Sequence, residues 1–122
     1  MTTSAAGGAS PSSPPAPGLL YWVDTVLLNG TDKKGARPAV VLALPAFGLT
    51  DVRLLMRTSK LDVRGIPHPA HPEIGLNKAG VFGFDYLRSL DIKVFKVPAL
   101  VQYLGRLDQG TWEQVKQWWE QA

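Results

Sequence analysis

Asp32 and Arg37 lie within six positions of one another, in a stretch that reads Gly-Thr-Asp-Lys-Lys-Gly-Ala-Arg-Pro from residue 30. Cutting RNA without a metal needs a base for the 2′-hydroxyl proton and a fixed cation for the charge that builds on the phosphate. A carboxylate near a guanidinium able to grip two oxygens supplies both kinds of group. The same two residues also make an ordinary surface ion pair, which is the commoner role of such neighbours. Lys33 and Lys34 add ammonium groups in the same loop.

Other groups invite weighing. Thr58-Ser59 places two hydroxyls after an apolar segment, where they can donate to a phosphate oxygen or cap a turn. Lys60, Arg53 and Arg64 add positive charge nearby, as a solvated face also would. His68 and His71, with Glu73 close by, form a partial metal-ligand set. With no third histidine and no cysteine in the chain, a closed zinc site is not expected, and neither a metal nor a cofactor is assigned. Asp85 to Asp91 carries two carboxylates and Arg88, an arrangement that reads as a turn with a local Arg–Asp pair. No phosphate loop, dinucleotide fingerprint, serine elbow or metalloprotease helix occurs.

The elements that must position these groups follow from periodicity. Residues 39–44 are an unbroken apolar run, the signature of a strand buried on both faces, and Pro38 suits the first position of such a strand. That would fix Arg37 at the root of a core strand. Residues 19–28 are aromatic and β-branched, bounded by Gly18 and Asn29-Gly30, and predict a strand with a hairpin loop after it. Residues 52–58 predict a third strand, and three strands joined by turns suggest a meander curling into a small barrel. The prolines of residues 66–73 exclude a helix and predict a long surface loop. Residues 81–84 and 93–97 predict two short strands, and 100–104 a last strand or a helical turn. Residues 111–122 predict a helix, with Thr111 as its cap and Gln114 completing a capping box. Trp112, Val115 and Trp119 share one face with Trp118 beside them, suited to packing across the barrel or to a subunit interface.

With 122 residues the chain has room for one core. Residues 1–18 hold no charge and are almost entirely Ser, Thr, Ala, Gly and Pro, which predicts a disordered tail before a domain at 19–122. The absence of cysteine excludes disulfides and thiolate metal sites. A formal net charge of +3 favours an acidic partner. No apolar run approaches a membrane span, and the start lacks the features of a secretory signal, so a cytoplasmic domain is expected.

Taken in order, these segments resemble the MazF/PemK (Kid-like) toxins of bacterial toxin–antitoxin pairs. The resemblance rests on Trp22-Val23-Asp24, the loop from Gly30 to Pro38, Thr58-Ser59, Gly75-Leu76-Asn77-Lys78, the run from Asp85 to Asp91, and Gly105-Arg106-Leu107 before the terminal helix. It spans about residues 18–122. It implies an SH3-like barrel of the CcdB/MazF type, mainly β with a C-terminal helix, and a homodimer. It implies metal-independent cleavage of single-stranded RNA to 2′,3′-cyclic phosphate ends, neutralisation by a cognate antitoxin, and DNA binding by the complex of the two. Carried over by position, Arg37 would stabilise the phosphorane and donate a proton, Thr58, alone or with Ser59, would hold the phosphate, and Asp32 would stand at the base position. Lys33, Lys34, Ser59, Lys60, Asp85 and Arg88 would contact RNA. The chain departs from the pattern at Asp32, in place of a frequent glutamate, and at Tyr86, in place of a glutamine. It also has Gly83 where one branch carries a basic residue, and Ala36 where a polar one is frequent. A barrel that only binds a protein, as gyrase-poisoning relatives of the fold do, or that only engages an antitoxin, is the other reading.

Overall fold

A computed structural model describes residues 14–24 and 36–121. Asp32, Lys33 and Lys34 therefore lie outside the described residues, as do residues 25–28 of the expected first strand. Six strands are described: β1 (Leu19–Asp24), β2 (Ala36–Ala43), β3 (Asp51–Thr58), β4 (Gly65–His68), β5 (Gly80–Asp91) and β6 (Val101–Arg106). Short 3-10 helices occupy Pro72–Ile74 and Ile92–Lys96, and the helix α1 spans Gln109–Gln121. Every pairing is antiparallel, in the order β4-β5-β3-β2-β1-β6. The first three strands form the expected meander. β4 and β6 remain as edges, so the sheet does not close into a hydrogen-bonded barrel.

Both faces of the sheet are buried, which explains the unbroken apolar run of β2. Tyr21, Val23, Ala39, Val41, Leu54 and Met56 point to one face, where Phe95 of the second 3-10 helix joins them. Leu20, Val40, Leu42, Leu55, Ile66 and Phe82 point to the other, which α1 covers through Val115 and the partly buried Trp112, Trp118 and Trp119. The period-two alternation of strands sorts these residues, and each fully buried leucine or phenylalanine contributes about 1.5–3 kcal/mol. The helix tryptophans thus pack on the sheet: Trp118 stacks on Phe84 with ring centroids 5.1 Å apart, and Arg53 lies over Trp119.

Four local expectations are corrected. Pro38 is the third residue of β2, not its first; the ladder to β3 starts only at Ala39, so the missing N–H falls beyond that ladder's end. The proline-rich stretch is not all loop, because Ile66 to His68 pairs with β5 at the sheet edge, with Pro67 exposed between buried neighbours. Residues 81–91 are one long strand, and 93–97 fall mostly in a 3-10 helix. Between Leu55↔Leu87 and Arg57↔Phe82, β5 advances five residues while β3 advances two. That irregularity, at Gly83 to Tyr86, gives the strand its turn-like sequence. Finally, α1 is capped by Asp108, whose Oδ2 accepts from the Thr111 amide at 2.9 Å and the Thr111 hydroxyl at 2.8 Å. Thr111 itself is buried in the first turn.

Residues 14–18, assigned above to the tail, are tied to the domain. The Gly18 amide donates to the Val41 carbonyl, the Leu107 amide donates to the Gly18 carbonyl, and Ala16 packs on the core.

Candidate functional site

The β1–β2 register sets Trp22 opposite Pro38, and Ala39 lies opposite Met56 on β3. Continuing that register by one residue puts Pro38 beside Arg57, which pairs with Phe82. By alternation this row faces the side that α1 covers further along. Past the helix the face is open, and a cleft of about 330 Å³ lies there. Trp22, Arg37, Pro38, Arg57, Ser59 and Lys78 line it, together with the turn that carries Gly75 and Leu76. A second cleft of about 450 Å³ adjoins it through Trp22 and Ala36 and brings in Asp24, Leu100 and Gln102.

Of the residues expected to act, Arg37 and Ser59 meet in the first cleft. Thr58 is adjacent but buried, and its Oγ1 accepts from the Lys60 amide at 3.2 Å. Lys60 is exposed and does not line the cleft. Asp85 and Arg88 sit on β5 and do not line it either. Arg88 donates to the carbonyls of Asp85 and Leu87 and lies over the Tyr86 ring, in place of the expected carboxylate pairing.

Two cations of the cleft were given no site role by the sequence reading: Arg57, and Lys78, which entered only through the stretch from Gly75 to Lys78. Arg57 is only 5% exposed. Its Nε donates to His68 Nδ1 at 2.9 Å, and its Nη2 donates to the Lys78 carbonyl at 2.7 Å and the His68 carbonyl at 3.4 Å. Gly80 makes the room. A Cβ there would come within 2.6 Å of the guanidinium carbon and Nη1, and within 2.7 Å of the Thr58 carbonyl. Burial alone pulls the Arg57 pKa below its usual value.

His68 is fully buried between Arg57 and α1. Burial, then the Arg57 charge, brings its pKa down to about 4, against the opposing pull of Asp108. It is therefore neutral near pH 7. Because arginine can only donate, Nδ1 must present its lone pair, and the ring proton resides on Nε2. That nitrogen lies 3.2 Å from Asp108 Oδ1, in poor alignment for a hydrogen bond. For Asp108, burial alone would raise the pKa, but the Thr111 amide and hydroxyl and the neighbouring His68 hold it below the usual carboxylate range.

His68, His71 and Asp108 bring ligand atoms within 4.8 Å of one another. Glu73, grouped with the two histidines in the sequence reading, is not part of this trio and lies exposed with its carboxylate 3.8 Å from His71 Nε2. The trio does not suit a metal while Arg57 is bonded as it is. A neutral imidazole whose Nδ1 accepts from Arg57 has a proton, not a lone pair, on Nε2. The cluster reads better as a chain that orders hydrogen bonds: Asp108 faces the His68 proton, and His68 holds Arg57.

No protein-family model matches the chain, and no curated protein matches it significantly. Solved structures do match. MazF of Deinococcus radiodurans superposes with a TM-score of 0.59 at 22% identity, over 86% of this chain and 92% of that one. Two crystal forms of the MazE–MazF complex from the same organism match with TM-scores of 0.56 and 0.54, at 21% and 20% identity. They cover 86% of this chain in each case, and 90% and 91% of those chains. At such identities the likeness speaks for the fold, and six antiparallel strands followed by a C-terminal helix are the MazF-like fold.

Proposed function

We propose that the chain is the toxin of a toxin–antitoxin pair and acts as a metal-independent endoribonuclease on single-stranded RNA. The observation that carries this reading is the convergence of Arg37, Arg57, Lys78 and Ser59 in one cleft beside the half-buried Trp22, on a fold similar to MazF. Cations able to hold phosphate oxygens and an aromatic face able to stack a base are the two requirements of single-strand recognition.

In the reaction, the RNA 2′-oxygen attacks the adjacent phosphorus and loses its proton to a base, the role that the resemblance gives to Asp32. Arg37 holds the charge of the pentacoordinate phosphorane and supplies a proton to the departing 5′-oxygen. The products are a 2′,3′-cyclic phosphate and a 5′-hydroxyl. Of the two hydroxyls that the resemblance offers for holding the phosphate, Ser59 is exposed at the cleft and takes the role, while Thr58 is buried beside it. No metal is needed in this scheme, because the guanidinium supplies the electrostatic stabilisation.

An antitoxin is the proposed protein partner, since structures similar to this chain are named as MazE–MazF complexes. Phe47 and Leu49 are strongly exposed on the turn between β2 and β3, which suits contact with another chain, either the antitoxin or a second copy.

Purified protein incubated with single-stranded RNA in EDTA tests the enzymatic reading. Cleavage by the wild type with cyclic phosphate ends, lost in a folded Arg37→Ala variant, is the expected result. Intact RNA from a wild-type protein that still arrests growth would point to the barrel that acts by binding protein alone.

A further inference from the structure

Arg57 stands out for what it lacks. A guanidinium 5% exposed has three acceptors among the described residues, and all are neutral: the His68 ring nitrogen and the carbonyls of His68 and Lys78. No carboxylate pairs with it among the described residues, and its Nη1 makes no hydrogen bond there. Removing a cation from water without a counter-charge is costly, which is why buried charges are normally paired. An unpaired one persists where something else supplies the anion. Arg57 also lines the cleft that holds Arg37 and Lys78. The surroundings keep it aimed. Gly80 leaves the space that the guanidinium fills, and His68 can accept from Nε only in the tautomer whose other nitrogen carries the proton facing Asp108.

We infer that Arg57 is a second phosphate-binding cation of the cleft, and that His68 and Asp108 are its positioning residues. The ligand chemistry is a phosphodiester of single-stranded nucleic acid, which rests on the reading of the cleft given above. Nη1 and the outer edge of Nη2 face a phosphate oxygen next to the one held by Arg37. Two guanidiniums would then grip consecutive phosphates, or two oxygens of one, and fix the strand across Trp22. His68 never touches RNA in this arrangement. It holds the guanidinium plane while staying uncharged, so that it does not repel the cation it supports.

Binding to an oligodeoxynucleotide, which lacks the 2′-hydroxyl and cannot be cut, separates this inference from catalysis. The full chain and its variants are titrated with the single strand across a range of salt concentration, well below each variant's melting temperature. Arg57→Gln is expected to weaken binding about tenfold and to flatten the log–log salt slope by about 0.7, the share of one phosphate on a single strand. Arg57→Lys keeps the charge but not the fork, so it should restore the slope without restoring the affinity. His68→Phe keeps an aromatic ring against Phe82 but offers no acceptor; it should weaken binding several-fold with the slope unchanged. His68→Asn, with a smaller side chain, serves if the phenylalanine variant fails to fold. A folded Arg57→Gln protein with wild-type affinity and slope overturns the inference, provided that Arg37→Ala does weaken binding. If Arg37→Ala and Arg57→Gln both bind as the wild type does, or the wild type binds no single strand, the reading of the cleft falls and this inference with it. Loss of melting temperature in the His68 variants with unchanged affinity and slope would reduce His68 to a purely structural role and overturn its part.

Discussion

Tyr21 and Arg57 are both polar residues buried on central strands of one sheet, and they face opposite sides of it. Tyr21 points into the apolar face. Its ring meets Phe95 and Tyr103 edge-on at 5.1 and 5.6 Å, and its hydroxyl has no hydrogen-bond partner among the described residues. Burial, then Tyr103, pushes its pKa up to about 12. Arg57 points to the other face and has acceptors for two of its nitrogens, with space left by a glycine for the remainder. The ring of Tyr21 is wanted and its oxygen is not, since an orphaned hydroxyl costs about 1–3 kcal/mol. Arg57 is held by a network in which the His68 Nδ1 lone pair and the Lys78 carbonyl are both turned to its guanidinium. A buried polar group with a built environment and no counter-charge is a stronger pointer to a ligand than a charged surface loop.

Acid breaks the Arg57 side of this contrast most severely. His68 has its folded pKa brought down to about 4 from an ordinary 6.5. Above pH 6.5 both folded and unfolded forms are neutral and stability is unaffected. As pH falls from 6.5 to 4 the unfolded chain takes up the proton first, so stability falls, by roughly 3 kcal/mol if the whole gap is realised. The charged and titratable groups around the ring are Arg57, Asp108 and His71. Asp108, with its pKa below the usual range, adds a loss in the same direction at lower pH. Urea unfolding at pH 7 and pH 4.5 should show the drop in the wild type and a much smaller one in His68→Phe. An equal drop in both would place the acid sensitivity elsewhere.

Gly80→Ala comes next in size. Its Cβ would meet the Arg57 guanidinium and the Thr58 carbonyl, an overpacking that costs about 1–3 kcal/mol. It should also weaken single-strand binding, because the displaced group is Arg57. A wild-type melting temperature and affinity would show that the glycine is not what makes room.

Tyr21→Phe should change least. It removes only the orphaned oxygen, so stability is expected to stay level or rise by up to about 1 kcal/mol. A loss of more than that would mean the hydroxyl has a partner.

The same contrast explains what could be read in the chain beforehand. β2, β3 and α1 were legible because their apolar patterns are local, an unbroken run such as Val40, Val41 and Leu42 or a helical spacing such as Trp112, Val115 and Trp119. β4 was hidden by Pro67, which looks like a breaker but stands on the exposed side of an edge strand. Only residues 81–84 of β5 read as a strand, because the residues that follow, up to Tyr86, leave the β3 ladder and give 85–91 the look of a turn. The helix cap was misplaced because Asp108 and Thr111 are both good capping types at adjacent turns, and only the fold shows that Thr111 is buried. Arg37 and Ser59, which line the cleft, stand in local motifs that a sequence reader can pick out. Arg57 was missed because its meaning depends on His68, eleven residues on, and on the Lys78 carbonyl, twenty-one residues on. The local signal available was an arginine ending an apolar strand next to Thr58-Ser59, which by itself reads as a solvated charge.

The central claim is that this cleft cuts RNA with Arg37 at the reacting phosphate. Single-turnover cleavage of a single-stranded RNA in EDTA, with wild type and Arg37→Ala compared side by side and the ends analysed, tests it most directly. Cyclic phosphate ends from the wild type and none from a folded Arg37→Ala protein are the expected result. Equal cleavage by the two proteins, or cleavage that appears only when a divalent metal is added, would contradict it.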